Sequence, residues 1–365
     1  KITVTNLKVK KVRTKTVSKQ YGTELGTLPT TTESGYTFDG WYTAATGGTK
    51  ISSTTKVTGT TTYYAHWIKN NYEELNSSGT HVKYYETLAS AMSGVTSGNT
   101  VKVLKSRTEN DVATLGSGKT VTFNLNGKYI TTTTDITTLI NNGTLTVQDS
   151  VGSGYIKNTA TKASKAIIEN TGKLSLSGSK DFIIGGKSTQ TTQWLIYNNG
   201  GSLVFSKGTL QQEGALSGEA NRYAIYSSSG GNITISGGTI KTTSSSTTTN
   251  DNGIVFYGDN TLSMTSGTIT TKGTPIVSYG TLTSESAPAV KITGGTIEST
   301  GSYGISNEGS GLVYINGSSA SITGSKAGMY NNASGSFKVN NGENLCIVGP
   351  NGCGKSTLLK SIANI

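Results

Sequence analysis

The strongest constraint in this chain is a repeat. LINNGTLTV from Leu139, IIENTGKLSL from Ile167, LIYNNGGSLVF from Leu195 and AIYSSSGGNITI from Ala224 are variants of one pattern. IVFYGDNTLSM from Ile254, PIVSYGTLTS from Pro275, GISNEGSGLVYI from Gly304 and GMYNNASGSFKV from Gly328 continue it, at spacings of about 21 to 30 residues. Many units run on into a second strand pattern, as in ISGGTIKTT, TSGTITTKG and ITGGTIEST. Similarity at such a period marks a solenoid or a propeller. A propeller blade needs roughly 40 residues and four strands, and a leucine-rich repeat needs a Leu lattice that is missing. A parallel β-helix fits, with two or three short strands per coil. Coils stacked ~4.8 Å apart place like residues above like and bury the alternate set. The pairs at Asn141–Gly143, Asn198–Gly201 and Asn331–Asn332 read as positive-φ corners. No coil buries its own apolar face, so neighbours stabilise one another. About nine coils would make a rod roughly 40 Å long, with right-handed winding expected.

Composition narrows the class further. Gly is 48 of 365 residues, and segments rich in Ala, Leu, Glu and Lys are absent, which excludes a helical bundle. Regular Val, Ile, Tyr and Thr between turn residues excludes simple disorder. No apolar run approaches the ~18 residues of a membrane span. Cys346 and Cys353 are the two cysteines and make no disulfide framework. The chain starts at Lys1 without Met and stops at Ile365 inside a helical pattern, so both ends read as cut.

The formal net charge is +11, and Lys1, Lys8, Lys10, Lys11, Arg13, Lys15 and Lys19 carry much of it with no acid among them. One Arg and no ring before Tyr21 is a poor nucleic-acid surface. The alternation reads as an exposed strand pair with Lys on its wet face. Attraction to an anionic wall or membrane surface is the alternative.

Up to about residue 68 the chain shows short β patterns at Tyr21–Leu28, Gly35–Tyr42 and Thr60–Trp67. Tyr36, Phe38, Trp41, Tyr64 and Trp67 are predicted to supply the core, since so small a unit buries little else. An aromatic ligand platform is the functional alternative. The stretches GYTFDGWYTAATGGTKI and YAHW, within about residues 20–67, resemble the Listeria–Bacteroides repeat of the internalin B type. That resemblance implies a small β-grasp-like module of bacterial surface proteins, an extracellular spacer or adhesive unit that brings no catalytic residues.

IKNNYEELNSSGTHV reads as a polar linker leading to a strand. ETLASAMSG, Glu86–Gly94, reads as a short helix with Leu88, Ala91 and Met92 on one face, suited to cover the open end of a solenoid. His81 has no Cys, His or Asp cluster near it in sequence, so it is not assigned to a metal.

From about residue 100 to 335 the array resembles the pectate-lyase-like right-handed β-helices of bacterial surface proteins. That fold hosts polysaccharide lyases and hydrolases as well as adhesins, and so leaves function open. Glycan hydrolysis needs two carboxylates about 5–10 Å apart. Between Gly152 and Gly335 the acids Glu169, Asp181, Glu213, Glu219, Asp251, Asp259, Glu285, Glu298 and Glu308 are spread singly and read as solvated loop acids. Within that stretch Arg222 is the one arginine, with no Asp cluster for Ca²⁺. No catalytic residue is assigned. Faces lined with Thr, Ser, Asn and the tyrosines Tyr223, Tyr226, Tyr257 and Tyr279 suit glycan or protein binding.

Composition changes abruptly near residue 337. Asn344–Val348 is a strand pattern and Lys355–Ile365 a helix pattern. Between them Gly349, Asn351, Gly352, Cys353, Gly354, Lys355, Ser356 and Thr357 match G-x-x-x-x-G-K-[ST]. Glycines admit backbone N–H groups to phosphate, Lys355 would reach the β/γ oxygens, and Ser356 would hold Mg²⁺. GENLCIVGPNGCGKSTLLK resembles the Walker A segment of ABC-transporter ATPases. The resemblance implies ATP and Mg²⁺ as cofactors and a cytoplasmic origin, although Walker B, signature and switch motifs do not follow. A chimera, a truncated genuine fusion and a divergent β-helix cap all remain open for this tail.

The sequence therefore predicts a mainly β chain: residues 1–68 a β-grasp-like repeat, 69–99 a linker and capping helix, 100–336 a single-stranded right-handed parallel β-helix, and 337–365 a strand–P-loop–helix segment. The expected role is that of a bacterial cell-surface, adhesin-like protein outside the cell, whose partners are glycan or protein surfaces, with no nucleic acid and no membrane span. ATP binding and β-helix lyase or hydrolase activity are the alternatives.

Overall fold

The computed structural model describes residues 2–5, 14–160, 162–187, 193–213, 221–242 and 251–340. Four strands, Ile2–Thr5, Thr14–Val17, Tyr36–Tyr42 and Thr62–Lys69, form a mixed sheet. Ile2–Thr5 runs antiparallel to Thr14–Val17 and parallel to Thr62–Lys69, which pairs antiparallel with Tyr36–Tyr42. The basic stretch thus opens in a strand pair, while Lys8, Lys10, Lys11 and Arg13 lie outside the described residues. No helix occurs among the described residues of this unit.

Its core is Leu25, Trp41, Ile51, Val57, Tyr63 and Ala65, with Leu28, Phe38 and Trp67 packed against it. Strand parity corrects the predicted ring set: Tyr63 rather than Tyr64 turns inward, and Tyr36 is exposed. Phe38 meets Trp41 and Trp67 edge-on at 5.3 and 5.4 Å, the geometry that ring quadrupoles favour.

The stretch read as a polar linker is folded. Tyr72–Leu75 pairs antiparallel with His81–Tyr85 and with Thr100–Val103, and so joins the solenoid's large sheet. Tyr72 and Glu74 point into the core. The Glu74 carboxylate accepts hydrogen bonds from the Tyr85 hydroxyl (2.6 Å), the Thr96 amide (3.0 Å) and Asn99 Nδ2 (2.6 Å). An acid so satisfied can be buried, which a hydropathy reading does not anticipate.

The helix Leu88–Gly94 is held by a capping box between Thr87 and Ser90, and it buries Leu88, Ala91 and Met92 as predicted. It packs on the first rung of the solenoid at Ala113–Leu115, in one core with Tyr72, Tyr85 and Val95.

Each coil presents three faces, for example Lys173–Leu176, Phe182–Gly186 and Gln193–Asn199. The register stacks like on like: Leu145, Leu174, Leu203, Ile233, Leu262, Val290 and Val313 form one inward column. From Asn232 onward the first two faces merge into long strands such as Asn232–Thr242 and Leu312–Gly324. The third face is a parallel sheet of nine strands, from Ala113–Leu115 to Ala327–Asn331. The arrangement is a parallel β-solenoid, consistent with right-handed winding.

Positive φ appears at one of the three predicted corners, at Gly200 (φ 75°) between Asn198 and Gly201, while the asparagines themselves do a different job. Asn141, Asn170 and Asn198 are fully buried and point inward. Asn141 Nδ2 donates to Asn170 Oδ1 (2.7 Å), Asn170 Nδ2 to Asn198 Oδ1 (2.7 Å), and Asn198 Nδ2 to Ser227 Oγ (3.1 Å). The next position in the column is Phe256, so Asn260 reaches back and accepts from Ser227 Oγ at 2.9 Å. Beside this ladder, Gly143 and Gly172 are required by close approach. A Cβ on Gly172 would lie 2.0 Å from the Gly143 carbonyl.

Candidate binding surface

The nine-stranded face carries an aromatic strip. In Gln193–Asn199, Arg222–Ser228, Asp251–Gly258 and Ile276–Gly280, inward residues such as Leu195, Ile225, Phe256 and Ile276 fill the core. The outward positions bear rings. Register places Trp194 beside Tyr223, Tyr197 beside Tyr226, and Tyr257 beside Tyr279.

The rings touch in series. Trp194 stacks on Tyr226 with centroids 4.8 Å apart, and Tyr197 leans on both. Tyr223 lies 6.0 Å from Tyr226, and Tyr226 lies 5.7 Å from Tyr257. Tyr257 and Tyr279 are parallel within 1° at 4.5 Å, and are 40% and 37% exposed. Rings held this way have little rotamer freedom left to lose on binding.

Electrostatics keep these phenols protonated. Burial, then the neighbouring Tyr257, Tyr279 and Tyr226 phenols, push Tyr223 up to about 12. Burial also raises Tyr226 and Tyr257, helped by adjacent tyrosines. Burial and then the Glu308 carboxylate raise Tyr279. Tyr197 Oη lies 3.1 Å from Ser228 Oγ. Among the described residues, the hydroxyls of Tyr223, Tyr226, Tyr257 and Tyr279 have no hydrogen-bond partner, so their donor and acceptor capacity faces outward unspent.

The structure thus brings together the four tyrosines named from sequence and adds Trp194 and Tyr197. Those two were legible in principle, because LIY at Leu195 aligns with AIY at Ala224 in the repeat. A smaller aromatic pair sits on another face: Tyr129 stacks on Tyr155 at 5.0 Å, with Lys157 above Tyr155 and bonded to Glu213 at 2.7 Å. On the first unit, a cavity of about 180 Å³ lies among Ala45, Thr46, Gly47, Ala65, His66 and Trp67. That is smaller than the ~300–1,000 Å³ of small-molecule sites.

The reading of the acids as solvated needs one correction. Asp251 is fully buried at the start of its strand, bound to Arg222. Glu213 pairs with Lys157, and Glu308 accepts from Asn332 Nδ2 at 2.7 Å. His81 Nδ1 lies 3.2 Å from Glu73 Oε1. Among the described residues no three or more His, Cys, Asp or Glu side chains group as metal ligands would. No described helix is long and apolar enough to cross a membrane. Glu219 and the nucleotide-motif residues Gly349, Asn351, Gly352, Cys353, Gly354, Lys355, Ser356 and Thr357 lie outside the described residues.

Comparison with family models matches residues 6–66 to the Listeria-Bacteroides repeat domain and residues 333–365 to ABC transporter. Each match covers a minor part of the chain. The second begins inside the solenoid: Ser336–Val339 pairs in parallel with Leu312–Gly324, placing Val313 against Phe337 and Ile315 against Val339. No curated protein and no solved structure gives a significant match.

Proposed function

We propose that this chain is an adhesin-like protein of a bacterial surface, acting outside the cell, and that its aromatic strip binds ligand non-covalently. The observation that carries this reading is the run of touching rings from Trp194 to Tyr279, with unspent hydroxyls, across four consecutive rungs of a rigid solenoid. Tyr and Trp offer wide amphipathic contact at small entropic cost and are enriched in binding surfaces. The Listeria-Bacteroides match at residues 6–66 supports a surface location. In this reading residues 1–68 are a spacer module, 69–99 a connecting and capping segment, 100–336 the right-handed β-helix that binds, and 337–365 a segment whose first residues, Phe337 to Val339, still form part of the last rung.

The test is adhesion of the labelled full chain to cell and cell-wall surfaces, with Tyr226→Ala/Tyr257→Ala compared. Loss of adhesion with an unchanged circular dichroism spectrum supports the reading. Unchanged adhesion overturns it.

A second reading is favoured by the ABC transporter match at residues 333–365. There Gly349, Asn351, Gly352, Cys353, Gly354 and Thr357 would surround nucleotide phosphate, Lys355 would pair with it, and Ser356 would hold Mg²⁺. Retention on immobilised ATP with Mg²⁺, abolished by Lys355→Ala, is the expected result. No retention removes this reading.

A further inference from the structure

The net charge of +11 suggests a partner rich in anions. The placement of the charges says otherwise for the aromatic strip. In the solenoid's other strands Lys83, Lys102, Arg107, Lys157, Lys173, Lys241, Lys291 and Lys338 occur against three acids, Glu73, Glu74 and Glu298. In the nine-stranded sheet the one base is Arg222, which is fully buried on Asp251. The charged residue left at an outward position of that sheet is Glu169, in register with Tyr197. Glu308 follows its strand directly and acts on Tyr279, and exposed Asp259 follows Tyr257 and Gly258. Lys326 sits over Tyr303, on the last rungs rather than on the strip. The outward strand positions of the strip therefore bear hydroxylated rings and no cation, with Glu169, Asp259 and Glu308 beside it and Lys165 and Lys272 confined to the loops that lead into the sheet.

Its geometry is periodic as well. Four rungs separated by ~4.8 Å span about 14 Å along the solenoid axis. The rings do not share one column: Tyr226 is in register with Val255, and Tyr257 and Tyr279 lie two positions further along their strands, so a ligand meets a ring on every rung on a course oblique to the axis. The faces that Tyr257 and Tyr279 turn to each other are covered, so ring edges and phenol oxygens are what the strip offers there. A linear polymer of hydroxyl-rich units, each about as long as one rung spacing, matches both the repeat and the chemistry.

We propose that the aromatic strip takes a neutral, extended polysaccharide obliquely across its four rungs, about one sugar per coil, and that the carboxylates beside it turn away polyanionic glycans. This rests on the strip being the binding surface. Polyanions meet instead the lysine-bearing faces, without using the strip.

Affinity electrophoresis and titration calorimetry of the full chain test this, with cello-oligosaccharides and laminarin as neutral probes and polygalacturonate as the anionic one. Affinity for the neutral probes is expected to rise with chain length to about four sugars and then level off. Tyr257→Ala and Trp194→Ala are each expected to weaken it at least tenfold. Lys291→Ala should leave neutral binding within twofold and weaken the salt-sensitive binding of polygalacturonate. Strip-dependent binding of polygalacturonate would overturn the proposal. So would absence of neutral-glycan binding in a chain whose adhesion still depends on Tyr257; a protein ligand would then occupy the strip, and the adhesive reading would survive. If adhesion is indifferent to Tyr257, both fall.

Discussion

Arg222 and Asp251, one coil apart, form a two-pronged ion pair with no solvent exposure: Nε to Oδ1 is 2.6 Å and Nη2 to Oδ2 is 2.7 Å. Arg222 Nη1 also donates to the Glu213 carbonyl at 2.7 Å, so the guanidinium ties three strands at one corner. The pair lies directly beneath the edge of the aromatic strip, since Arg222 adjoins Tyr223 in sequence.

Breaking this pair should be costly, because each change takes the two-pronged counter-charge away from a fully buried ion. Asp251→Ala and Arg222→Ala are each expected to lower unfolding stability by about 3–5 kcal/mol. Replacing both by apolar residues of similar volume, Arg222→Met with Asp251→Leu, should recover most of that loss. Denaturant unfolding of the three variants measures it.

The amide ladder predicts a second loss. Asn170→Ala removes the links to Asn141 and Asn198 and leaves buried amide groups unsatisfied on both sides. A cost of about 1–3 kcal/mol per orphaned group is expected. Asn142→Ala, at an outward neighbour, should stay within about 0.5 kcal/mol. Thermal unfolding distinguishes them.

Gly172→Ala should destabilise although its backbone is not left-handed, since the added methyl would collide with the coil beneath. Overpacking of this kind costs about 1–3 kcal/mol. Gly98→Ala, where no atom lies within 4 Å but φ is +92°, tests conformational strain alone. The melting temperatures of the two separate contact from conformation.

Stability should fall at both ends of the pH scale. Burial pushes the Asp149 carboxyl up, but amides of Val151, Gly152, Gly127 and Gly154 outweigh it, so its pKa lies below the ordinary 3.8. Asp135 and Glu74 are lowered in the same way against burial, by Ser164 and Lys165 and by Tyr85, Thr96 and Asn99. A depressed carboxyl stabilises the fold above its unfolded pKa, and that contribution is lost as pH falls through the folded one. The acid limb is therefore expected below about pH 4. Tyr72, Tyr85, Tyr223, Tyr226, Tyr257 and Tyr279 are raised, chiefly by burial. Raised phenols stabilise fully below pH 10 and lose that contribution as pH rises through their folded values. Absorbance titration should show late tyrosinate formation, and Tyr223→Phe should remove part of the delayed fraction.

The repeat period, the inward columns of Leu, Ile and Val and the helix face at Leu88, Ala91 and Met92 were legible in the linear sequence. Each depends on local spacing, which strand and helix geometry turns directly into sidedness. The resemblance of residues 20–67 and the phosphate-loop motif were legible for a like reason, as contiguous strings. Other features depend on what a neighbouring coil supplies. Asn141 and Asn170 look like turn residues until the register sets them one above the other. Tyr72 and Glu74 look like linker until Tyr85 and Asn99 satisfy the carboxylate. Asp251 looks solvated until Arg222 arrives from 29 residues away. Tyr223, Tyr226, Tyr257 and Tyr279 were visible singly, but their joining with Trp194 and Tyr197 into one strip follows from stacking. Spacing along the chain decides which way a side chain points; only the packed coils decide what it meets, because hydrogen bonds and ring contacts are made across the ~4.8 Å between rungs and not along the strand.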